Sequence, residues 1–454
     1  MRFCVDAAKQ WTRWSNLSTN RKIFSATLVI ASLTFAAKLV SSVKELAVAA
    51  SFGTGDAIDA FLIAFVVPSL ATAVISGSFN AAFIPTYIQV REREGGDCAQ
   101  KLFSNVLASS ALLLGAATLG IIVGAPYYLP LLASGFSPAK IMQTRRLLYF
   151  LSPMVMIAGI NTIWGAVLNA GEEFALVAVT PVFTPFVVII FLLVANTWGV
   201  TALTLGTIVG MVLEAGIICS ALRRKQISPW PRWHGSDPHL KQVMGQFLPM
   251  VSGAFILAST ALIDQGMAAM LGSGSVAVLN YGNRLISVPI GIGTTALGTA
   301  VIPYFSVMVA RNDWDGIRHT LKRYFGLIFG AAIPLTITLV IGAEPLVRIM
   351  YQRGAFTTQD THLVAQVLAL LALQLPFYTA SILLVRLVSA MLANHILMIA
   401  NIISIFLNVG LNYLFMKKLG VAGIALSTSC VYLVSFLFLL FSWRRISNKE
   451  KSCA

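Results

Sequence analysis

Residues 51–68 read SFGTGDAIDAFLIAFVVP, and residues 271–289 read LGSGSVAVLNYGNRLISVP. Each opens on a glycine-rich turn and runs into an apolar stretch of helix length that reaches a proline, Pro68 in one and Pro289 in the other. The spacing recurs. AAFIPTYI around Pro85 is matched by TAVIPYFS around Pro303, SGFSPAKI at Gly135 by RGAFTTQDT at Gly354, and WGVTALTLGT at Gly199 by LGVAGIALST at Gly420. The four offsets are 221, 218, 219 and 221 residues. Matches at so constant a distance mark an internal duplication.

Composition says what is duplicated. Of the 454 residues, 57% are hydrophobic and 11% charged, where soluble domains carry about 25% charged residues. Mean hydropathy is +0.82. No aqueous fold hides that much apolar surface, so a soluble enzyme, a disordered chain and a secreted disulfide scaffold are excluded. A bilayer is crossed by about 20 apolar residues in a helix. Twelve windows qualify: 23–43, 57–88, 104–132, 147–169, 174–195, 199–221, 244–271, 276–308, 324–345, 363–391, 396–416 and 420–442. Pro68, Pro153, Pro181, Pro289 and Pro376 fall inside them as candidate kinks. The repeat offset equals six spans, an even number, so the halves are parallel in topology. The predicted fold is an all-α polytopic membrane protein of two six-helix bundles, 23–221 and 244–443. A basic segment, 1–22, precedes them, a linker at 222–243 with SPWPRWHGSDPH at its centre joins them as a hinge, and a tail, 444–454, follows.

The formal net charge is +15, from 32 basic and 17 acidic residues. In a membrane protein this points to loop bias and anionic headgroups rather than nucleic acid. Twenty-one of the 32 Lys and Arg lie on the side of the N-terminus and seven on the other, which predicts a cytoplasmic location for both termini. Phe3, Ala7, Trp11 and Trp14 recur at helical spacing, the pattern of a helix lying on the membrane surface, and a solvated basic tail reads equally well. The five cysteines are scattered and the histidines form no HExxH pair, so neither a metal, a cofactor nor a disulfide framework is expected.

Charges within a bilayer are costly and mark functional positions by default. Lys38 and Lys44 stand on the first span about 120° apart on the helical wheel, with Glu45 beside the second. Asp59 opens the second span, Asp264 lies in the seventh, Arg284 in the eighth and Arg386 in the tenth. Lys38, Lys44 and Arg284 suit an anionic substrate, with phosphate or pyrophosphate the natural candidate. Glu45, Asp59 and Asp264 are candidates to gate or tune those cations by pairing. Each also has a plainer reading. Lys44 could snorkel from the end of span 1, Asp59 could cap span 2, Arg284 could pair structurally with Asp264, and Arg386 could meet a carbonyl near a helix end.

The stretch KLVSSVKELAVAASFGTGDAIDAFLIAFVVP, residues 38–68, resembles the opening signature of the MurJ/MviN lipid II flippases. That family lies in the superfamily that also holds polysaccharide-repeat flippases and the multidrug and toxic-compound (MATE) extruders. SGSVAVLNYGNRLISVPIGIGTTALGTAVIPYFS resembles its eighth-helix region, and YQRGAFTTQDT its ERGAFT-type loop. The resemblance implies alternating access around a cationic cavity, with undecaprenyl-pyrophosphate-linked peptidoglycan precursor as cargo. It places the first-helix cations at Lys38 and Lys44, where the family has arginines, the following acid at Glu45, the TDAF-type Asp at Asp59, and the eighth-helix arginine at Arg284. A second-helix arginine of the family falls near Thr72. The family pattern also carries two more helices that form a groove for the lipid tail.

The reading is therefore a flippase, not an enzyme, moving a polyprenyl-pyrophosphate-linked glycan across a bacterial inner membrane, with peptidoglycan synthesis and cell shape as the process served. Its partners are that substrate, membrane lipids and possible cell-envelope synthesis enzymes. The alternatives are a flippase for exopolysaccharide or O-antigen repeat units, an ion-coupled multidrug extruder, a non-transporting assembly scaffold, and a membrane glycosyltransferase. The last lacks a DxD at a span end, because DWD at 313–315 sits in a short loop and reads as a cap.

Overall fold

The computed structural model describes residues 19–235 and 237–453. The amphipathic pattern expected around Phe3, Ala7, Trp11 and Trp14 lies outside them. All regular structure among the described residues is helical. In hydrocarbon no water satisfies backbone N–H and C=O groups, and a helix satisfies them within one segment. The helices are α1 (Thr19–Phe52), α2 (Asp56–Glu94), α3 (Gly96–Leu132), α4 (Pro138–Leu151), α5 (Pro153–Ala170), α6 (Phe174–Val179), α7 (Phe183–Val194) and α8 (Val200–Arg224). The chain continues with α9 (Pro238–Ala269), α10 (Ser275–Ala310), α11 (Trp314–Ile341), α12 (Ala343–Tyr351), α13 (Thr358–Ala372), α14 (Leu375–Ala390), α15 (Asn394–Leu419) and α16 (Val421–Cys453). Among the described residues, ten segments are long and apolar enough to cross a bilayer. The remaining two predicted spans, 23–43 and 276–308, are occupied by α1 and α10. Leu193, Val194, Tyr127 and Phe406, each at least three-quarters exposed, stand where lipid tails would cover them.

Prolines act unequally. Pro68 and Pro289 sit inside continuous helices. Pro153 follows the break between α4 and α5, Pro376 that between α13 and α14, and Pro181 lies in the 3-10 turn Thr180–Val182 between α6 and α7. Proline lacks the N–H that closes the helical ladder and crowds the carbonyl four residues back. The fourth span of each half is thus broken at an equivalent place. Asp313 caps α11 as the DWD reading expected, its carboxylate accepting the Gly316 N–H at 2.8 Å.

The chain divides into two compact units that are not the two sequence halves. The first comprises Met1–Ala47, Ala71–Gly120 and Phe150–Met250, the second Val48–Leu70, Ile121–Tyr149 and Val251–Ala454. In the first, Phe79 stacks on Phe247 with ring centroids 4.0 Å apart. Gly210 lets α8 close on α7, where a Cβ would come within 2.6 Å of the Thr184 Cα. Small residues at such crossings permit the close packing on which membrane helices rely. Glu214 on α8 accepts the Thr184 N–H at 3.2 Å, answering a donor at the start of α7. In the second unit, Phe305, Leu321, Leu383, Leu384 and Leu387 are buried together with Phe436 and Leu439.

The second unit shows the duplication in three dimensions. A Cβ on Gly135 would lie 2.5 Å from the Ala269 carbonyl oxygen, and one on Gly354 would lie 2.3 Å from the Ala50 carbonyl oxygen. Both glycines and both alanines are 219 positions apart. The first helix of each half therefore meets the loop after the third helix of the other half in the same way. Gly199 and Gly420 also repeat, with φ and ψ of 54° and −135° in one and 59° and −135° in the other. Gly354 has φ +58° as well. We expect Gly135→Ala and Gly354→Ala each to lose about 1–3 kcal/mol of stability, read as a lower thermal midpoint of the purified protein. Gly410→Ala, where a Cβ meets nothing within 4 Å, should leave the midpoint unchanged or raised.

Candidate functional site

The sequence-predicted cations and acids fall in three places. On α1, in the first unit, Lys38 is exposed and Lys44 is partly buried. The Lys44 Nζ lies 2.8 Å from the Glu45 Oε1, so the expected pairing of Glu45 with a first-span cation is present. Adjacent residues on a helix do not face each other, and both side chains bend round to meet.

The second place is a cavity of about 550 Å³ within the second unit. Arg284 and Asp264 both line it, with Asn280, Asn283, Asn401 and Tyr378. Arg284 is exposed on α10 and is the only Lys or Arg among the lining residues. Asp264 on α9 is held by two amides of α15. The Asn412 Nδ2 donates to its Oδ1 at 2.7 Å, and the Asn408 Nδ2 donates to the same oxygen at 3.0 Å. A carboxylate taken from water must recover hydrogen bonds or a counter-charge. Here neutral amides supply the bonds. Asn408 and Asn412 are four residues apart, on one helix face; the sequence reading passed over them, and two amides at that interval in an apolar span are the signal that would have found them. The cavity wall is rich in amides and hydroxyls, groups that both donate and accept. Such a wall can hydrogen-bond the many hydroxyls of a sugar. Arg284 adds one planar, five-donor cation suited to phosphate.

The third place is a brace in the second unit. Asp59 is fully buried. Its Oδ2 accepts the Gly274 N–H at 2.7 Å and its Oδ1 the Ala277 N–H at 2.9 Å. It therefore caps α10 across the chain rather than its own helix α2, where the sequence had suggested a cap. Carboxylate charge at a helix N-terminus also meets the positive end of the helix dipole. Its cation is Lys140, 3.0 Å from Oδ2 and only 8% exposed. Lys140 also reaches Asp56 at 2.5 Å and sits 3.9 Å over the Phe136 ring. Sequence reasoning placed Lys140 among loop charges. Its neighbourhood, SGFSPAKI, was found as a repeat, but nothing local signals that its ammonium turns inward. Beside this pair the Thr54 hydroxyl donates to Asp360, the Tyr281 hydroxyl donates to the Gly53 carbonyl at 3.1 Å, and the Ala355 N–H donates to the Ala50 carbonyl at 2.8 Å. Tyr281, Tyr351 and Phe356 form a ring cluster behind them.

Arg386 on α14 is half-buried, and its Nε has no hydrogen-bond partner, so the carbonyl contact expected there is not made by that atom. Among the described residues no three His, Cys, Asp or Glu side chains gather as a metal site.

Comparison with known proteins gives these features a context. The profile of the family described as lipid II flippase MurJ matches residues 48–452. A probable lipid II flippase MurJ from Synechocystis is 28% identical over 444 residues, covering 94% of this chain and 82% of its own length. Among solved structures, a lipid II flippase MurJ in an inward closed conformation superposes with a TM-score of 0.78 at 24% identity, covering 92% of this chain and 87% of its own. An inward-facing MATE-family multidrug transporter superposes at 0.77 with 14% identity, covering 91% and 96%. These two similarities establish the fold.

Removing one member of the brace strands the others. Asp59→Ala leaves Lys140 with its deeply buried partner gone and two N–H groups of α10 unanswered, a loss of about 3–5 kcal/mol. We expect Asp59→Ala and Lys140→Met each to lower the thermal midpoint sharply. The double variant should lose less than the sum, with a coupling of at least about 1 kcal/mol in a double-mutant cycle. Additive losses would show that the two do not act as a pair.

Proposed function

Because this chain belongs to the lipid II flippase MurJ family, we infer that it is a transporter, not an enzyme, and that its cargo is a polyprenyl-pyrophosphate-linked glycan, lipid II. The observation that carries the assignment to a site is Arg284, the cation lining an amide-walled cavity in the second unit. The diphosphate bears the charge of the cargo, the glycan its hydroxyls and the polyprenyl its hydrocarbon. Arg284 is the diphosphate ligand in this reading, and Lys38 and Lys44 are the cations that α1 contributes during the cycle. The amides and hydroxyls of the cavity take the sugar, while the hydrocarbon tail stays in lipid.

We take residues 23–221 and 244–443 as the two bundles of an alternating-access cycle in the cytoplasmic membrane of a bacterium, with both termini cytoplasmic. With that orientation the brace lies on the periplasmic side. It ties residues 50–59 and 135–140 of the first half to 269–281 and 354–360 of the second. Release of cargo outward then requires Asp59, with Lys140 beside it, to part from α10, and Thr54 from Asp360. Membrane lipids surround the protein, and enzymes that make or use the precursor are its candidate neighbours.

The test is native mass spectrometry of the purified protein supplied with lipid II, together with rescue of cells depleted of their own lipid II flippase. The wild type should carry an adduct of lipid II mass. Arg284→Ala should weaken that adduct roughly tenfold or more, as expected for loss of a charge-assisted contact, and fail to rescue at normal expression. Arg284→Lys should recover part of the binding, because it restores charge but not the fork. Full rescue by a well-expressed Arg284→Ala would remove this residue from the site.

A further inference from the structure

The linker between α8 and α9 is not a slack hinge. Three side chains on the first turns of α3 hold it along one line, all within the first unit. Gln100 donates to the Ser228 carbonyl at 3.2 Å and accepts the Ser228 N–H at 3.3 Å. Ser104 donates to the Trp230 carbonyl at 3.2 Å and accepts the Arg232 N–H at 2.8 Å. Asn105 donates to the Gly235 carbonyl at 3.2 Å and accepts the His234 N–H at 2.7 Å. Gln100, Ser104 and Asn105 are spaced to lie on one face of the helix. Ser104 is 2% and Asn105 1% exposed. Residues 228–235 thus form a strap that bends at Trp230 and whose backbone is held at residues 228, 230, 232, 234 and 235.

Clamping the backbone decides what the side chains do. Pro229 is buried, whereas Trp230, Pro231, Arg232, Trp233 and His234 are all exposed in succession. Trp230 is 59% and Trp233 58% exposed. Two indoles held out by a structured backbone are a presented surface. The charge of this stretch is mostly positive: Arg223 lies 5.9 Å from the Trp230 ring, and with Arg224, Lys225, Arg232 and Lys241 it faces only Asp237 within residues 223–241. The nearby carboxylates are occupied. Glu173 pairs with Lys225 at 2.5 Å, Glu94 with His239 at 2.9 Å, and Asp237 accepts the His239 N–H at 2.6 Å. Among the described residues, Arg224, Arg232 and Lys241 form no ion pair. The strap's depth is set by its neighbours. It begins just after one membrane span, α8, and ends where α9 begins, and it lies on the opening turns of a third, α3.

We propose that this strap is an anchor for the anionic phospholipid headgroups of the leaflet at that face, with Trp230 and Trp233 seated at headgroup level and Arg232 between them on lipid phosphate. Tryptophan prefers that depth because its ring is apolar and its N–H polar. Cations at the same depth are drawn to anionic lipid. The occupant is a lipid surface and not a soluble protein because the strap is pinned at the end of the spans.

The test uses the full protein in nanodiscs of brominated phosphatidylglycerol or brominated phosphatidylcholine, reading tryptophan quenching. Two of eight tryptophans report on the strap, so up to about a quarter of the emission should be lost through them. The wild type should be quenched more in the anionic disc. Trp230→Phe with Trp233→Phe should abolish that difference while leaving helical content unchanged, and Arg232→Gln should reduce it. Asn105→Ala, which frees the strap without touching its exposed residues, should abolish it too. Strap tryptophans unquenched in both discs would place the strap in water and overturn the proposal in favour of a protein partner. Equal quenching in both discs would overturn the preference for anionic lipid.

Discussion

The carboxylate of Asp59 stands in the first turn of α2 and is buried against three groups that need it. The N–H groups of Gly274 and Ala277 have no intrahelical acceptor at the start of α10. Lys140 is removed from water and requires a counter-charge. A fully buried carboxylate in turn requires donors. Each member is untenable alone and satisfied together. The position of α10, and with it that of Asn283 and Arg284 on its third turn, follows from this cap. The cavity thus depends on a capping interaction at one end of its wall.

Within the spans the structure uses two solutions for a charge. Ion pairing serves at the ends, where Lys140 meets Asp59 and Lys44 meets Glu45. Amide solvation serves inside the cavity, where Asn408 and Asn412 hold Asp264. Amides that share the work of stabilising Asp264 make a cavity in which charge, hydroxyl and water are all acceptable neighbours.

What the sequence revealed follows the same physics. The twelve spans were legible because the bilayer demands helices of one length, and the duplication was legible because glycine and proline mark places where no other residue fits. Gly135 and Gly354 are examples, each abutting an alanine carbonyl of the other half. Arg284 and Asp264 were legible as charges in apolar runs, and the structure brings both to one cavity. Lys140 was not, because its role lies in a fold back to Asp59, 81 positions earlier, and a lysine in a connecting segment looks the same whether it faces water or a carboxylate. The strap was misjudged for a related reason. SPWPRWHGSDPH has the composition of a hinge, and its order comes from Gln100, Ser104 and Asn105, more than a hundred residues away. The unit boundaries were equally hidden, since residues 48–70 and 121–149 belong by sequence to the first half and by packing to the second unit.

In the proposed cycle the brace holds in one state and lets α10 go in another, and its chemistry allows both. At an effective dielectric of 20 a pair of unit charges 4 Å apart gains about 4 kcal/mol. Withdrawing each ion from water costs several kcal/mol. The net of the closed arrangement is small although its gross terms are large. Deleting one partner is severe, because the other stays buried without compensation. Letting water reach the pair as α10 leaves is mild, because hydration returns what the buried contacts gave. Asp56, whose side chain is 62% exposed while it holds the same Lys140, shows that water already reaches the rim of this network. A latch made of buried ions next to water is costly to mutate and inexpensive to open. A latch made of packed leucines would have the reverse character, since opening it would expose apolar surface in proportion to its area. An alternating-access carrier that must open and close on every cycle is better served by the first.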